Sequence, residues 1–205
     1  QGFGNVGYYF SFFSSKLGMK IVSVSDSKGA IVRKEGKTLS PLDIPLVMKC
    51  KKEKGVLAGC YCVGGVCDLA GGRLLSNEEM LSLDVDILVP AALENAINKS
   101  NMKNVKAKII VGMANGPITP IAHEYLTKKG VIIIPDVLAN AGGVSASYIE
   151  WKQNIEGKKL KKDETLKRIE NIMRKAFMDA WKTSQTLKTS LREAAYVSAL
   201  KKLID

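Results

Sequence analysis

Gly2, Gly4 and Gly7 stand in the spacing G-x-G-x-x-G within the opening segment Gln1-Gly2-Phe3-Gly4-Asn5-Val6-Gly7. No other feature constrains the fold as strongly. A strand must enter the first glycine, which makes the turn; the second lets backbone approach a pyrophosphate; the third lets the following helix pack closely. Tyr9, Phe10, Phe13 and Leu17 follow at helical spacing, so a pyrophosphate would sit on free N–H groups at the positive end of a helix. Almost the whole strand that should precede Gly2 is missing, and the chain is therefore expected to be a fragment.

Glycine-rich turns also arise for geometric reasons alone, so the motif needs context. Gly18 closes the helix, and Lys20-Ile21-Val22-Ser23-Val24-Ser25 reads as a strand ending at Asp26, 19 residues past Gly7. A carboxylate at about that distance meets the adenosine ribose of a bound dinucleotide.

Composition limits the classes further. Of 205 residues, 46% are hydrophobic and 25% charged, with no apolar run of spanning length and no basic-then-apolar leader. These values predict a cytoplasmic α/β protein with no membrane partner. The net charge of +11 raises the question of nucleic acid, since clustered cations gain from counterion release on phosphate. Here the basic runs 49–54 and 158–162 lack interleaved aromatics and read as solvated faces, so no nucleic-acid partner is expected. Cys50, Cys60, Cys62 and Cys67 lack paired C-x-x-C arms, and His123, the one histidine, is distant. Reduced thiols and no metal are the expectation.

Beyond Asp26, short apolar strands at 86–90, 107–112 and 131–135 alternate with helices at 41–54, 76–83 and 120–129. The pattern predicts a doubly wound, Rossmann-type, mainly parallel sheet with right-handed crossovers. The expected division is a dinucleotide-binding domain at 1–155 and C-terminal helices at 156–205. In such sheets ligands bind at the carboxyl ends of strands. The loops there read Pro90-Ala91-Ala92-Leu93-Glu94-Asn95, Ala114-Asn115-Gly116-Pro117 and Pro135-Asp136-Val137-Leu138-Ala139-Asn140-Ala141-Gly142-Gly143. One asparagine often serves only its own turn, but three at successive strand ends offer uncharged donors and acceptors to a carboxamide and a ribose.

The segments QGFGNVG, VSVSDSKGAI, DILVPAALENAI, KAKIIV…ANGPITP and IIIPDVLANAGGVSASYIEWKQN resemble, in order, the cofactor domain of the hexameric glutamate dehydrogenases. Leucine and phenylalanine dehydrogenases share the architecture but differ at ALENAI, ANGP and SYIEW. The resemblance implies that Gly2, Phe3, Gly4, Asn5 and Val6 surround the pyrophosphate of NAD or NADP and that Asp26 and Ser27 meet the adenosine ribose. It places Ala91, Ala92 and Asn95 at the cofactor's centre and Asn115 and Asn140 on the nicotinamide side. Val144 and Ser147 match positions facing the substrate side chain. Asp26 repels a 2′-phosphate, whereas Ser27 and Lys28 could accept one, so both cofactors stay open.

The chain departs from the family pattern at Gly112-Met113, where Glu-Gly is usual before Ala-Asn-Gly-Pro. In the family the N-terminal domain supplies the catalytic lysine and aspartate and much of the oligomer interface; no catalytic residue is expected in this chain, which alone should be inactive. The implied reaction is reversible oxidative deamination of L-glutamate to 2-oxoglutarate and ammonium, in a homo-oligomer. Another amino-acid dehydrogenase of the superfamily and a non-catalytic nucleotide-binding module are the alternatives. Asp163 is a candidate N-cap of a long helix with an apolar stripe, and Ser190-Leu191-Arg192-Glu193 a capping box opening another. These helices either pack on the sheet or, as in the family, form a hinge.

Overall fold

The computed structural model describes residues 1–35, 37–68 and 71–204, and it divides into two compact units, Gln1–Val131 and Ile132–Asp205. In the first unit, α1 (Asn5–Lys16) leads to the strands β1 (Ser23–Asp26) and β2 (Gly29–Val32) and the short hairpin of β3 (Lys34–Glu35) and β4 (Thr38–Leu39). Then come α2 (Ile44–Lys54), the hairpin of β5 (Tyr61–Val63) and β6 (Val66–Asp68), β7 (Arg73–Leu75) and α3 (Asn77–Leu81). The unit closes with β8 (Ile87–Leu88), a 3-10 turn at Met102–Asn104, β9 (Ile109–Val111) and α4 (Pro120–Lys128).

The expected helices form, each trimmed by its caps. Asp43 accepts from the Leu46 amide to start α2. Ser76 and Glu79 close a capping box on α3, and Thr119 accepts from the Ala122 amide before α4. β8 and β9 pair in parallel with Ile87 opposite Ile109, as the alternation of strands and helices predicts. The sequence reading did not foresee the antiparallel part. Asp26 pairs with Gly29 across a tight turn, so β2 folds back on β1, and β7 adds to its other edge. The Asp26 carboxylate accepts from the Lys28 amide inside that turn, and Gly29 adopts a φ of +134° that a side chain would resist. The first core gathers Phe3, Val24, Ile31, Ile44, Val47 and Leu57. The cysteines correct an expectation: instead of separate reduced thiols, the structure joins Cys50 to Cys60 and Cys62 to Cys67, because the last turns of α2 lie against the β5–β6 hairpin.

In the second unit, β10 (Ile132–Ile134) precedes α5 (Asp136–Ala139), α6 (Gly142–Glu156), α7 (Lys162–Leu187) and α8 (Leu191–Ile204). Asp163 is not the cap of α7; Lys161 holds that position, and Asp163 and Glu164 occupy the first turn, where carboxylates favour the helix dipole. The Ser190–Glu193 capping box forms in both directions. Lys188, at φ +53°, turns α7 into α8, and Ser184 Oγ donates to the Thr189 carbonyl to fix the turn. Arg192 donates to the buried Asp136 carboxylate at 2.6 Å, joining α8 to α5. No helix among the described residues is long and apolar enough to cross a membrane.

Candidate dinucleotide site

The glycine loop is fastened on both sides. Gln1 donates to the Val89 carbonyl at 2.8 Å and accepts from the Ala91 amide, while the Gly2 and Phe3 amides both reach the Ser25 carbonyl. Gly2, at φ +92°, has no room for a side chain: a Cβ would lie 2.7 Å from the Ala92 Cβ and 2.9 Å from the Ala91 carbonyl carbon. At Gly7 a Cβ would overlap the Gly2 carbonyl oxygen. Gly4 is different. A Cβ there meets nothing within 4 Å, so the protein itself does not demand glycine at this position. Gly4 caps α1 without a side-chain acceptor for the first-turn amides, and that turn holds no acidic residue. Free N–H groups, a positive helix end and open space beside a residue with no side chain together suit a phosphate oxygen.

Behind the loop lies an apolar cavity of about 390 Å³, lined by Phe10, Met19, Ile21 and Val22 on one side and Val85 and Ile87 on the other.

The Asp26 carboxylate is more engaged than the sequence indicates. Asp26 accepts from the Lys28 amide at 2.9 Å and from the Leu57 amide at 3.2 Å. Lys51 Nζ stands 3.6 Å from the same carboxylate and donates to the Phe3 carbonyl at 2.9 Å. Lys51 therefore links the glycine loop to Asp26. Sequence reasoning placed it in a solvated basic run; its spacing of four residues from the buried Val47, on the inward face of α2, was the available signal. Ser27 is exposed in the turn. The Phe3 side chain is core, 2% exposed, so Phe3 can serve a ligand only through its backbone. Asn5 and Val6 are exposed on the first turn of α1.

At the carboxyl ends of β8 and β9 the two asparagine loops are zipped together. The Asn95 amide donates to the Gly116 carbonyl at 2.8 Å, and Met113 and Ala114 both donate to Pro90. Asn95 takes the left-handed conformation at φ +53°, which asparagine tolerates better than most residues. The departure at Gly112-Met113 is accommodated without a positive φ, Met113 making its bond through the backbone. Bonds from Ala91 to Gln1, from Gly2 and Phe3 to Ser25 beside Asp26, and from Asn95 to Gly116 beside Asn115 tie these loops of the first unit to one another. In the second unit Asn140 caps α5, and Val144 and Ser147, three residues apart on α6, are both exposed. Val144, Tyr148, Trp151 and Ile155 continue that face as an exposed apolar stripe.

Known proteins resemble this chain in sequence and fold. The family model for Glutamate/Leucine/Phenylalanine/Valine dehydrogenase matches residues 1–205. The NADP-specific glutamate dehydrogenase of Synechocystis is 42% identical over 205 residues, all of this chain and 47% of that protein. The catabolic NAD-specific glutamate dehydrogenase of Bacillus subtilis is 36% identical over 202 residues, 98% of this chain and 44% of that protein. Among solved structures, the hetero-hexameric glutamate dehydrogenase of Thermus thermophilus in a leucine-bound form superposes with a TM-score of 0.83 at 29% identity, over 99% of this chain and 44% of that one. The chain spans about half the length of the curated relatives it matches.

Proposed function

The chain belongs to the glutamate/leucine/phenylalanine/valine dehydrogenase family, and on that premise we propose that it is the dinucleotide-binding portion of a glutamate dehydrogenase. The observation behind this reading is the uncapped N-terminus of α1 beside a glycine that the protein itself does not require, joined through Lys51 to a carboxylate at ribose distance. When bound, NAD or NADP supplies the hydride acceptor for oxidation of L-glutamate to 2-oxoglutarate and ammonium. The α1 amides hold the pyrophosphate, Asp26 and Ser27 orient the adenosine ribose, and Ala91, Ala92 and Asn95 border the central portion. Asn115 and Asn140 address the nicotinamide side, and Val144 and Ser147 the substrate side chain, Ser147 donating to its distal carboxylate. Residues 1–155 form the binding domain, and 156–205 its C-terminal helices. The catalytic groups come from residues outside this chain, in a hexamer such as the Thermus relative's printed description names.

Cofactor choice rests on two opposed charges. Asp26 disfavours a 2′-phosphate, and Lys51, within 3.6 Å of it, would attract one; the ion pair therefore leaves less net charge at the ribose than a lone carboxylate would. Replacing Asp26 with Ser frees Lys51 and is expected to shift the ratio of NADP to NAD affinity toward NADP by about 1 to 3 kcal/mol. Calorimetric titration of both cofactors into the full-length protein measures the ratio, with thermal unfolding recorded alongside because Asp26 also accepts from Lys28 and Leu57. A folded variant with an unchanged ratio removes Asp26 from the ribose site.

A further inference from the structure

We propose that in the reduced protein Cys50, Cys60, Cys62 and Cys67 form a tetrathiolate site for a single structural Zn²⁺. The four sulfurs come from separate pieces of chain: Cys50 from α2, Cys60 from the residue before β5, and Cys62 and Cys67 from facing positions of the β5–β6 hairpin. The structure joins them as Cys50–Cys60 and Cys62–Cys67. Two disulfides have no need to lie near each other. Yet the sulfur atoms of Cys50, from one pair, and of Cys62 and Cys67, from the other, all lie within 4.8 Å of one another. Three of the four sulfurs thus already cluster as a shared ion requires, and Cys60 joins them through its neighbour Cys50. Zinc–sulfur bonds of about 2.3 Å put tetrahedral sulfurs roughly 3.8 Å apart, so small side-chain rotations suffice.

The surroundings suit a closed site. Cys60 and Cys62 are fully buried, Cys50 nearly so and Cys67 half-buried, and four thiolates fill the coordination of a structural zinc. Binding replaces four thiol protons with the ion and leaves two net negative charges, released protons making the affinity fall with pH. The Arg33 guanidinium reaches the Tyr61 carbonyl between Cys60 and Cys62, which brings a cation to the segment that carries two of the ligands. The paired C-x-x-C arms of common zinc modules are absent because a hairpin and a helix, not two knuckles, bring the ligands together. The ion would clip α2 to the hairpin, fixing both Lys51 and the Leu57 amide that hold Asp26.

The test uses the full-length protein purified with reductant. Elemental analysis is expected to find about one zinc per chain after gel filtration, and a chelator should release it together with four titratable thiols. The Cys62→Ser/Cys67→Ser variant should lose the zinc. Should that variant fail to fold, Co²⁺ titrated into the metal-free wild type decides: tetrahedral d–d bands with sulfur-to-cobalt charge transfer support the site. Absence of retained zinc together with absence of cobalt–thiolate absorption overturns it, as does recovery of both disulfides intact from the reduced preparation.

Discussion

Gly4→Val in the full-length protein is expected to bind NAD and NADP about a hundredfold or more weaker, a loss near 3 kcal/mol, while unfolding at an almost unchanged temperature. The two halves of this expectation come from one observation. A Cβ at Gly4 meets no protein atom within 4 Å, and its φ of −90° is open to any residue, so valine costs the fold little. The branched side chain instead fills the space in front of the α1 amides, where the phosphates must approach to bond. Calorimetry with each cofactor and a thermal melt give both quantities. Unchanged affinity in a folded Gly4→Val protein places the pyrophosphate elsewhere.

Gly7 should behave in the opposite way. Its added Cβ would overlap the Gly2 carbonyl oxygen, a backbone atom fixed by the bonds from Gly2 and Phe3 to Ser25 and unable to swing aside. Gly7→Ala must push α1 away from the loop, and this overpacking is expected to lower stability by about 3 kcal/mol or more. Urea unfolding with and without saturating cofactor checks it. A Gly7→Ala protein as stable as wild type would show that helix and loop do not approach as closely as described.

The contrast between the two glycines could not be drawn from spacing alone, since G-x-G-x-x-G assigns both a role without saying which the protein needs for itself. What the sequence made legible were local patterns: the helix after the glycine loop, the strand before Asp26, the strand-and-helix alternation, and the capping box at Ser190; the apolar stripe of Tyr9, Phe13 and Leu17, however, is exposed, and Gly7, Ser11 and Ser14 form the buried face of α1. What it hid depends on distance along the chain. β2 is buried at every position and so lacks the alternation that marks a half-buried strand. Lys51 looked like one of several solvated lysines because its partners, Phe3 and Asp26, lie 48 and 25 residues away. Arg192 and Asp136 are 56 residues apart, and no local signal joins them. The cysteine cluster needs α2 folded onto a hairpin that itself went unforeseen.

On the proposed function, the full-length protein oxidises glutamate in preference to other amino acids. Steady-state rates of NAD and NADP reduction by the full-length protein, with L-glutamate, L-leucine, L-phenylalanine and L-valine compared at equal concentration, test it most directly. The predicted result is a kcat/KM for L-glutamate at least about a hundredfold above the others, since a site hydrogen-bonding a distal carboxylate leaves its polar groups unmatched by an apolar side chain. Equal or faster turnover of leucine, phenylalanine or valine would contradict the substrate assignment, and absence of reduction with all four would contradict the dehydrogenase reading itself.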